Sequence, residues 1–274
     1  MSTSSPTPEH TTFVPTRLGG LHVRMVGSGR PTVLWPSMFV DSHTWDRMLP
    51  FMESGRHYVL VDGPGLGLSE PLRRTSNISE AADAAAELLA GLPVDGPVDW
   101  VGNAFGGHVG FKLATRPGVL RSLVAVSAPT EPIAHGPRRN IKLLRPMLRT
   151  VGAVGPVRNA ILEAMLTDAS RADEGIQQIV LDSLVRPERV SLSTAAESFI
   201  LNRVDVNDEL AAIRVPSLFV ASDDRGDWSP DDAAAAAART PGARATTVTG
   251  ARTLVPLEQP EALATLLHDF WAEL

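Results

Sequence analysis

The stretch Val101-Gly102-Asn103-Ala104-Phe105-Gly106-Gly107-His108 decides how this chain folds. Before it, Val98–Gly102 is a short apolar run that reads as a strand; after it, Phe105 to Thr115 carries helical spacing. A chain that passes from strand to helix with almost no connecting residues must reverse sharply. Two small residues, Gly102 and Gly106, flank the turn symmetrically, two positions before and two after Ala104. That spacing predicts a tight strand–turn–helix element with the side chain of residue 104 presented at its tip.

Working outward, strands and helices alternate on both sides. Strands are expected near Phe13–Arg17, at Leu21–Val26, Pro31–Trp35, Arg56–Val61, Leu120–Ser127, Pro216–Ser222 and Ala243–Thr249, and helices at Thr44–Ser54, Ser79–Gly91 and from Pro260 onward. Ser229-Pro230-Asp231-Asp232 ahead of six alanines at 233–238 is a helix start, with a cap, a first-turn proline and first-turn acids. Short apolar strands separated by helices predict a mostly parallel sheet covered on both faces. The alternation stops across 133–213, where Ile141, Leu144, Leu148, Ile161 and Met165 recur at helical spacing, with breaks expected at Pro137, Pro146, Pro156 and Pro187. The expected organisation is a polar tail over 1–12, a core of 13–132 and 214–274, and a helical cap over 133–213.

Composition narrows the function. The chain has 274 residues, 43% hydrophobic and 20% charged, and a formal net charge of −6. Nothing in that balance advertises nucleic acid or anionic lipid, and no apolar run approaches the ~18 residues of a membrane helix. With no cysteine, disulfides, thiolate metal sites and a thiol nucleophile are excluded. Spacings for metal ligation are missing, and Gly63–Gly67 lacks both the lysine of a P-loop and the continuation of a dinucleotide fingerprint, so no metal or other cofactor is expected. The opening MSTSSPTPEH has neither the basic start nor the apolar stretch of a secretion signal, and the expected location is cytoplasmic. Only Lys112 and Lys142 are lysines among 25 cations, a skew that suggests a GC-rich bacterial genome.

Three further segments accompany the turn: Asp62-Gly63-Pro64-Gly65-Leu66-Gly67-Leu68-Ser69, the strand end Leu218-Phe219-Val220-Ala221-Ser222-Asp223-Asp224, and Gly250-Ala251-Arg252-Thr253-Leu254-Val255-Pro256-Leu257-Glu258-Gln259-Pro260. In this order the sequence resembles the α/β-hydrolase superfamily from about residue 13 to 274, with its D-x-P-G-x-G-x-S loop, G-x-S-x-G elbow, acid-bearing strand end and G-x-x-H-x-x-x-x-E-x-P segment. The resemblance implies an α/β-hydrolase fold: a mostly parallel eight-stranded sheet flanked by helices, with an inserted cap. It also implies roles. Ala104 holds the nucleophile position, Asp224 the acid position and Thr253 the histidine position. Met38 and Phe105 would supply the oxyanion-hole N–H groups, and Gly102, Asn103, Gly106 and Gly107 would shape the elbow.

Alanine has no oxygen to attack with, and threonine no imidazole to move the proton. Ala104 is either native or an inactivating replacement of serine; Thr253 argues for native, since removing the serine alone would suffice. Asp224 either keeps a role or caps the turn beside Asp223 and Asp227. Of seven histidines none occupies the expected position. His43 is the best substitute acid/base, against a simpler reading in which Asp41 and Ser42 cap its helix. His108 reads as a buried packing residue; Thr130 and Glu131 either replace the acid or open the cap. Met147, Met165, Leu144, Leu148, Leu162 and Phe199 are expected to be mostly core, some of them facing a crevice above Ala104.

The expected partner is a hydrophobic small molecule between core and cap, acted on by a non-hydrolytic step such as elimination, isomerisation or cyclisation. The rivals are a serine esterase or C–C hydrolase inactivated at 104, and a non-catalytic ligand sensor.

Overall fold

The computed structural model describes residues 9–224 and 226–274. Strands β1 (His10–Val14), β2 (Leu21–Gly27), β3 (Arg30–Trp35), β4 (Arg56–Val61), β5 (Val98–Asn103), β6 (Leu120–Val126), β7 (Ser217–Ser222) and β8 (Ala243–Val248) form one sheet in the order β1-β2-β4-β3-β5-β6-β7-β8. Only β1 against β2 and β2 against β4 are antiparallel; every later pairing is parallel. Both faces are covered. The central strands therefore read as continuous apolar runs, with every residue of β5 and β7 buried.

Outside the sheet lie α1 (Ile78–Gly91), α2 (Phe105–Ala114), and then α3 (His135–Thr150), α4 (Gly155–Met165), α5 (Asp168–Ala172), α6 (Glu174–Val185), α7 (Arg189–Ala196) and α8 (Asn207–Leu210), all six between β6 and β7. The chain closes with α9 (Pro230–Arg239), α10 (Val255–Glu258) and α11 (Pro260–Ala272). The start of α9 is a full capping box: the Asp232 N–H donates to Ser229 Oγ at 3.2 Å, and the Ser229 N–H to Asp232 Oδ2 at 3.1 Å.

Several local expectations need correction. The first strand is His10–Val14, not Phe13–Arg17, and residues 10–12 of the expected tail belong to it; residues 1–8 of that tail lie outside the described residues. Antiparallel pairing from His10↔Met25 to Val14↔Leu21 holds the polar threonines in an edge strand that Pro15 then ends. Thr44–Ser54 is not one helix but two tight turns, Ser42–Trp45 and Leu49–Phe51. Asp41 accepts the His43 N–H at 3.1 Å, Asp62 takes the Ser42 N–H at 2.8 Å, and Pro50 has no N–H to give. Pro137 and Pro146 do not break α3. The first lies in the first turn, where N–H groups have no helical partner, and the second lies on the exposed side with Lys142, where the carbonyl left without its N–H faces solvent.

The helices between β6 and β7 are stitched to the sheet loops by long-range bonds. Ser191 Oγ accepts the Leu72 N–H and donates to the Gly65 carbonyl, both at 2.9 Å, and Ser198 Oγ accepts the Ser76 N–H at 2.9 Å. Phe105, first in α2, stacks on Phe199 with centroids 4.5 Å apart. The position of these helices over the carboxyl ends of the strands follows from those contacts.

Candidate functional site

Among the described residues, three non-glycines take positive φ: Phe39 at 66°, Ala104 at 45° and Ser127 at 47°. Each stands just past the carboxyl end of one of three adjacent strands, β3, β5 and β6. Backbone strain of this kind costs about 1–3 kcal/mol per residue and gathers at sites. Here it marks the crevice where open α/β sheets bind ligands.

Ala104, with φ 45° and ψ −101°, passes the chain from β5 into α2 in a single residue. The small residues around it are sterically required. A Cβ on Gly102 would lie 2.1 Å from the Gly106 carbonyl oxygen, one on Gly106 2.2 Å from the Trp35 oxygen, and one on Gly107 2.3 Å from Ala128 Cβ. Asn103 ties the turn to the loop before α10, its Nδ2 donating to the Thr253 oxygen at 2.8 Å and to the Val126 oxygen at 3.1 Å.

A cavity of about 520 Å³ opens on this turn. Met38, Phe39, Ala104, Phe105 and Thr253 form its sheet side, while Ile141, Leu144, Leu148, Met165 and Phe199 wall it from the inserted helices. The volume suits a small organic molecule, and the mostly apolar wall has few polar groups.

Thr253 does not offer its hydroxyl to Ala104: Oγ1 donates to the Ala164 carbonyl at 3.2 Å and its N–H to Met165 at 3.1 Å. Glu258 fixes this loop, accepting the Arg252 N–H and the Thr167 N–H at 2.8 Å each. Asp224 lies two residues past β7 and is engaged by Arg252, whose Nη2 donates to Asp224 Oδ2 at 3.0 Å. Thus Ala104, Thr253, Met38 and Phe105 meet at one cavity, which Arg252, the partner of Asp224, also lines.

His43 is elsewhere. Its Nδ1 sits 2.7 Å from Asp46 Oδ2 and 3.2 Å from Arg24 Nη1, and it is not among the cavity-lining residues. The Asp46 carboxylate pushes the imidazole above its ordinary range, a surface ion-pair environment. His108 does line the cavity, but it donates from Nε2 to the Pro129 oxygen at 2.7 Å, and burial pushes its pKa down to about 3. Thr130 and Glu131 tie to the return of the insertion: the Thr130 oxygen takes the Val206 N–H at 2.9 Å, and the Glu131 oxygen takes Arg203 Nε at 2.7 Å. Sequence reasoning missed Arg203 and Arg252 as cavity residues; the one local signal was an arginine directly beside the residue in the histidine position. Among the described residues no cluster of three or more His, Asp or Glu could hold a metal ion, and no helix is long and apolar enough to cross a membrane.

Sequence comparison matches residues 32–266 to the alpha/beta hydrolase family. The chain belongs to that family. Within it, 227 residues are 29% identical to 2-hydroxy-6-oxononadienedioate/2-hydroxy-6-oxononatrienedioate hydrolase 1 of Dechloromonas aromatica strain RCB, covering 77% of this chain and 74% of the relative. Among solved structures, the enol-lactonase from Burkholderia xenovorans LB400 superposes with a TM-score of 0.85 at 18% identity, covering 95% of this chain and all (100%) of that one. A thermophilic esterase from Thermogutta terrifontis superposes with a TM-score of 0.83 at 20% identity, covering 96% and 98%. At these identities the structural likenesses establish the fold, an α/β-hydrolase sheet with flanking helices.

Proposed function

We propose that this α/β-hydrolase-family chain binds an apolar small molecule in the cavity between the sheet and a helical cap, and promotes a non-hydrolytic step there: an elimination, an isomerisation or a cyclisation. The observation that carries the reading is Ala104. The turn keeps the strained geometry that would present a nucleophile, with φ at 45°, yet it presents a methyl group. The partner position adds to this, because the Thr253 hydroxyl is committed to the Ala164 carbonyl and cannot act as a base. Losing members of a serine–histidine system costs on the order of a million-fold, leaving roughly a thousand-fold from oxyanion donors and binding. Those remaining devices, the amides of Met38 and Phe105 beside a shaped pocket, suit chemistry that develops negative charge on an oxygen without an attacking group.

The second reading is a C–C or ester hydrolase whose serine has been replaced at 104. It draws support from the similarity to the Dechloromonas aromatica hydrolase. Thr253 stands against it, since a single inactivating replacement would leave the histidine in place.

The deciding measurement is stopped-flow release of nitrophenol from nitrophenyl acetate, run beside labelling with a fluorophosphonate probe. Background release and no labelled protein are expected. A burst or a labelled residue overturns the reading, because another side chain would then be the nucleophile.

A further inference from the structure

Among the described residues, three arginines line the cavity: Arg145, Arg203 and Arg252. Two are compensated. Arg145 forms a close ion pair with Glu197, and Arg252 donates to Asp224 Oδ2 at 3.0 Å, to the Asp224 carbonyl at 3.3 Å and to the Glu163 carbonyl. Arg203 differs. Its Nε donates to the Glu131 carbonyl at 2.7 Å, but its Nη1 lies 3.6 Å from Asp227 Oδ2, beyond a hydrogen bond. Its side chain is 9% exposed while that of Asp227 is 53% exposed, so the counter-charge sits mostly in water and the cation mostly out of it.

The surroundings reinforce the imbalance. Burial lowers the Arg203 pKa, and Asp227 restores only part of it. The neighbouring His108 is neutral, held so by burial and by Arg203 itself, so it brings no negative charge to this end of the cavity. A buried cation with an incomplete partner is costly unless something anionic completes it, and a planar guanidinium suits a carboxylate through two parallel hydrogen bonds.

We infer that Arg203 is the anchor for a carboxylate on the cavity's ligand, the rest of which lies along the apolar wall of Leu144, Leu148, Met165 and Phe199. This rests on the reading that the cavity binds a small molecule. It narrows that molecule to an apolar monoanionic acid, and makes Asp227 a competitor that the ligand's carboxylate displaces.

Titration calorimetry of the full chain with octanoate and with neutral octanamide tests it. The wild type is expected to bind octanoate about tenfold more tightly than octanamide. Arg203→Met should erase that preference while leaving octanamide affinity within about threefold, and Arg203→Lys should keep part of it. Asp227→Asn, a change at an exposed position, should act with the opposite sign and tighten octanoate. Equal binding of the two probes by the wild type, equal weakening of both by Arg203→Met, or weaker octanoate binding in Asp227→Asn overturns the anchor. Failure of the cavity reading looks different: Leu144→Trp, which fills the cavity, would then leave both affinities untouched. Binding of neither probe overturns the inference as well.

Discussion

Arg252 Nη2 donates to Asp224 Oδ2 at 3.0 Å, joining the loop before α10 to the end of β7. The carboxylate neutralises a guanidinium that is 4% exposed and also holds the Glu163 carbonyl of α4. The pair therefore clamps the end of β7 to the inserted helices.

Asp224→Asn tests that clamp. Removing one partner of a largely buried pair, discounted because the Asp224 side chain is 29% exposed, should lower stability by ~1–2 kcal/mol. Urea denaturation measures it. An unchanged midpoint would show that the pair is a bystander.

Ala104→Ser and Thr253→His test whether the inherited geometry still supports hydrolysis. Neither single change should raise nitrophenyl ester turnover above background, because a serine without a base is a poor nucleophile and a base without an oxygen has nothing to deprotonate. The double variant should exceed either by roughly 10²-fold, since the two residues act as a unit, and remain far below a complete triad with Asp224 still held by Arg252. Full activity from Ala104→Ser alone would reveal a base already in place and favour the inactivated-hydrolase reading.

Ala104→Gly should stabilise the protein. Relief of a φ of 45° is worth about 1–3 kcal/mol, and the added freedom of glycine in the unfolded chain takes back about 0.4–1 kcal/mol. A net gain of ~1 kcal/mol in urea unfolding is expected. A loss would mean that the Ala104 methyl packs more than the turn strains.

His108 should make stability fall in mild acid. Its pKa is pushed down to about 3 in the fold by burial, against 6.5 when unfolded, so the unfolded chain binds the extra proton between those values. The contribution is complete above pH 6.5 and declines by about 1.4 kcal/mol per unit as pH falls toward 3. His108→Gln should flatten that slope between pH 6.5 and 4.5, read by unfolding at a series of pH values. An unaltered slope would place the acid sensitivity elsewhere. Asp62 is a separate contributor with the same sign: burial raises it, but hydrogen bonds from His22, Leu68 and Ser42 win and hold it below its usual 3.8, so its share is lost only below that pH.

The sequence by itself determined the elements that local rules control. Strands β4, β5 and β6 announce themselves as apolar runs, α9 by its cap, and the turn at 102–106 by glycines that sterics demand. That residue 104 carries no side-chain oxygen and residue 253 no imidazole was equally plain. Where local signals conflict, the tertiary structure decided. Thr44–Ser54 lost its helix to bonds from Asp41 and Asp62, and Pro146 stayed within α3 because that side faces water. Partnerships were decided only there as well. Arg252 meets Asp224 across 28 positions of sequence, Arg203 meets Glu131 across 72, and Arg24 of β2 reaches Asp46, the partner of His43, across 22. Propensity, capping and steric room act within a few residues, whereas a charge finds its partner only when strand order brings distant loops together, and strand order is a property of the whole sheet.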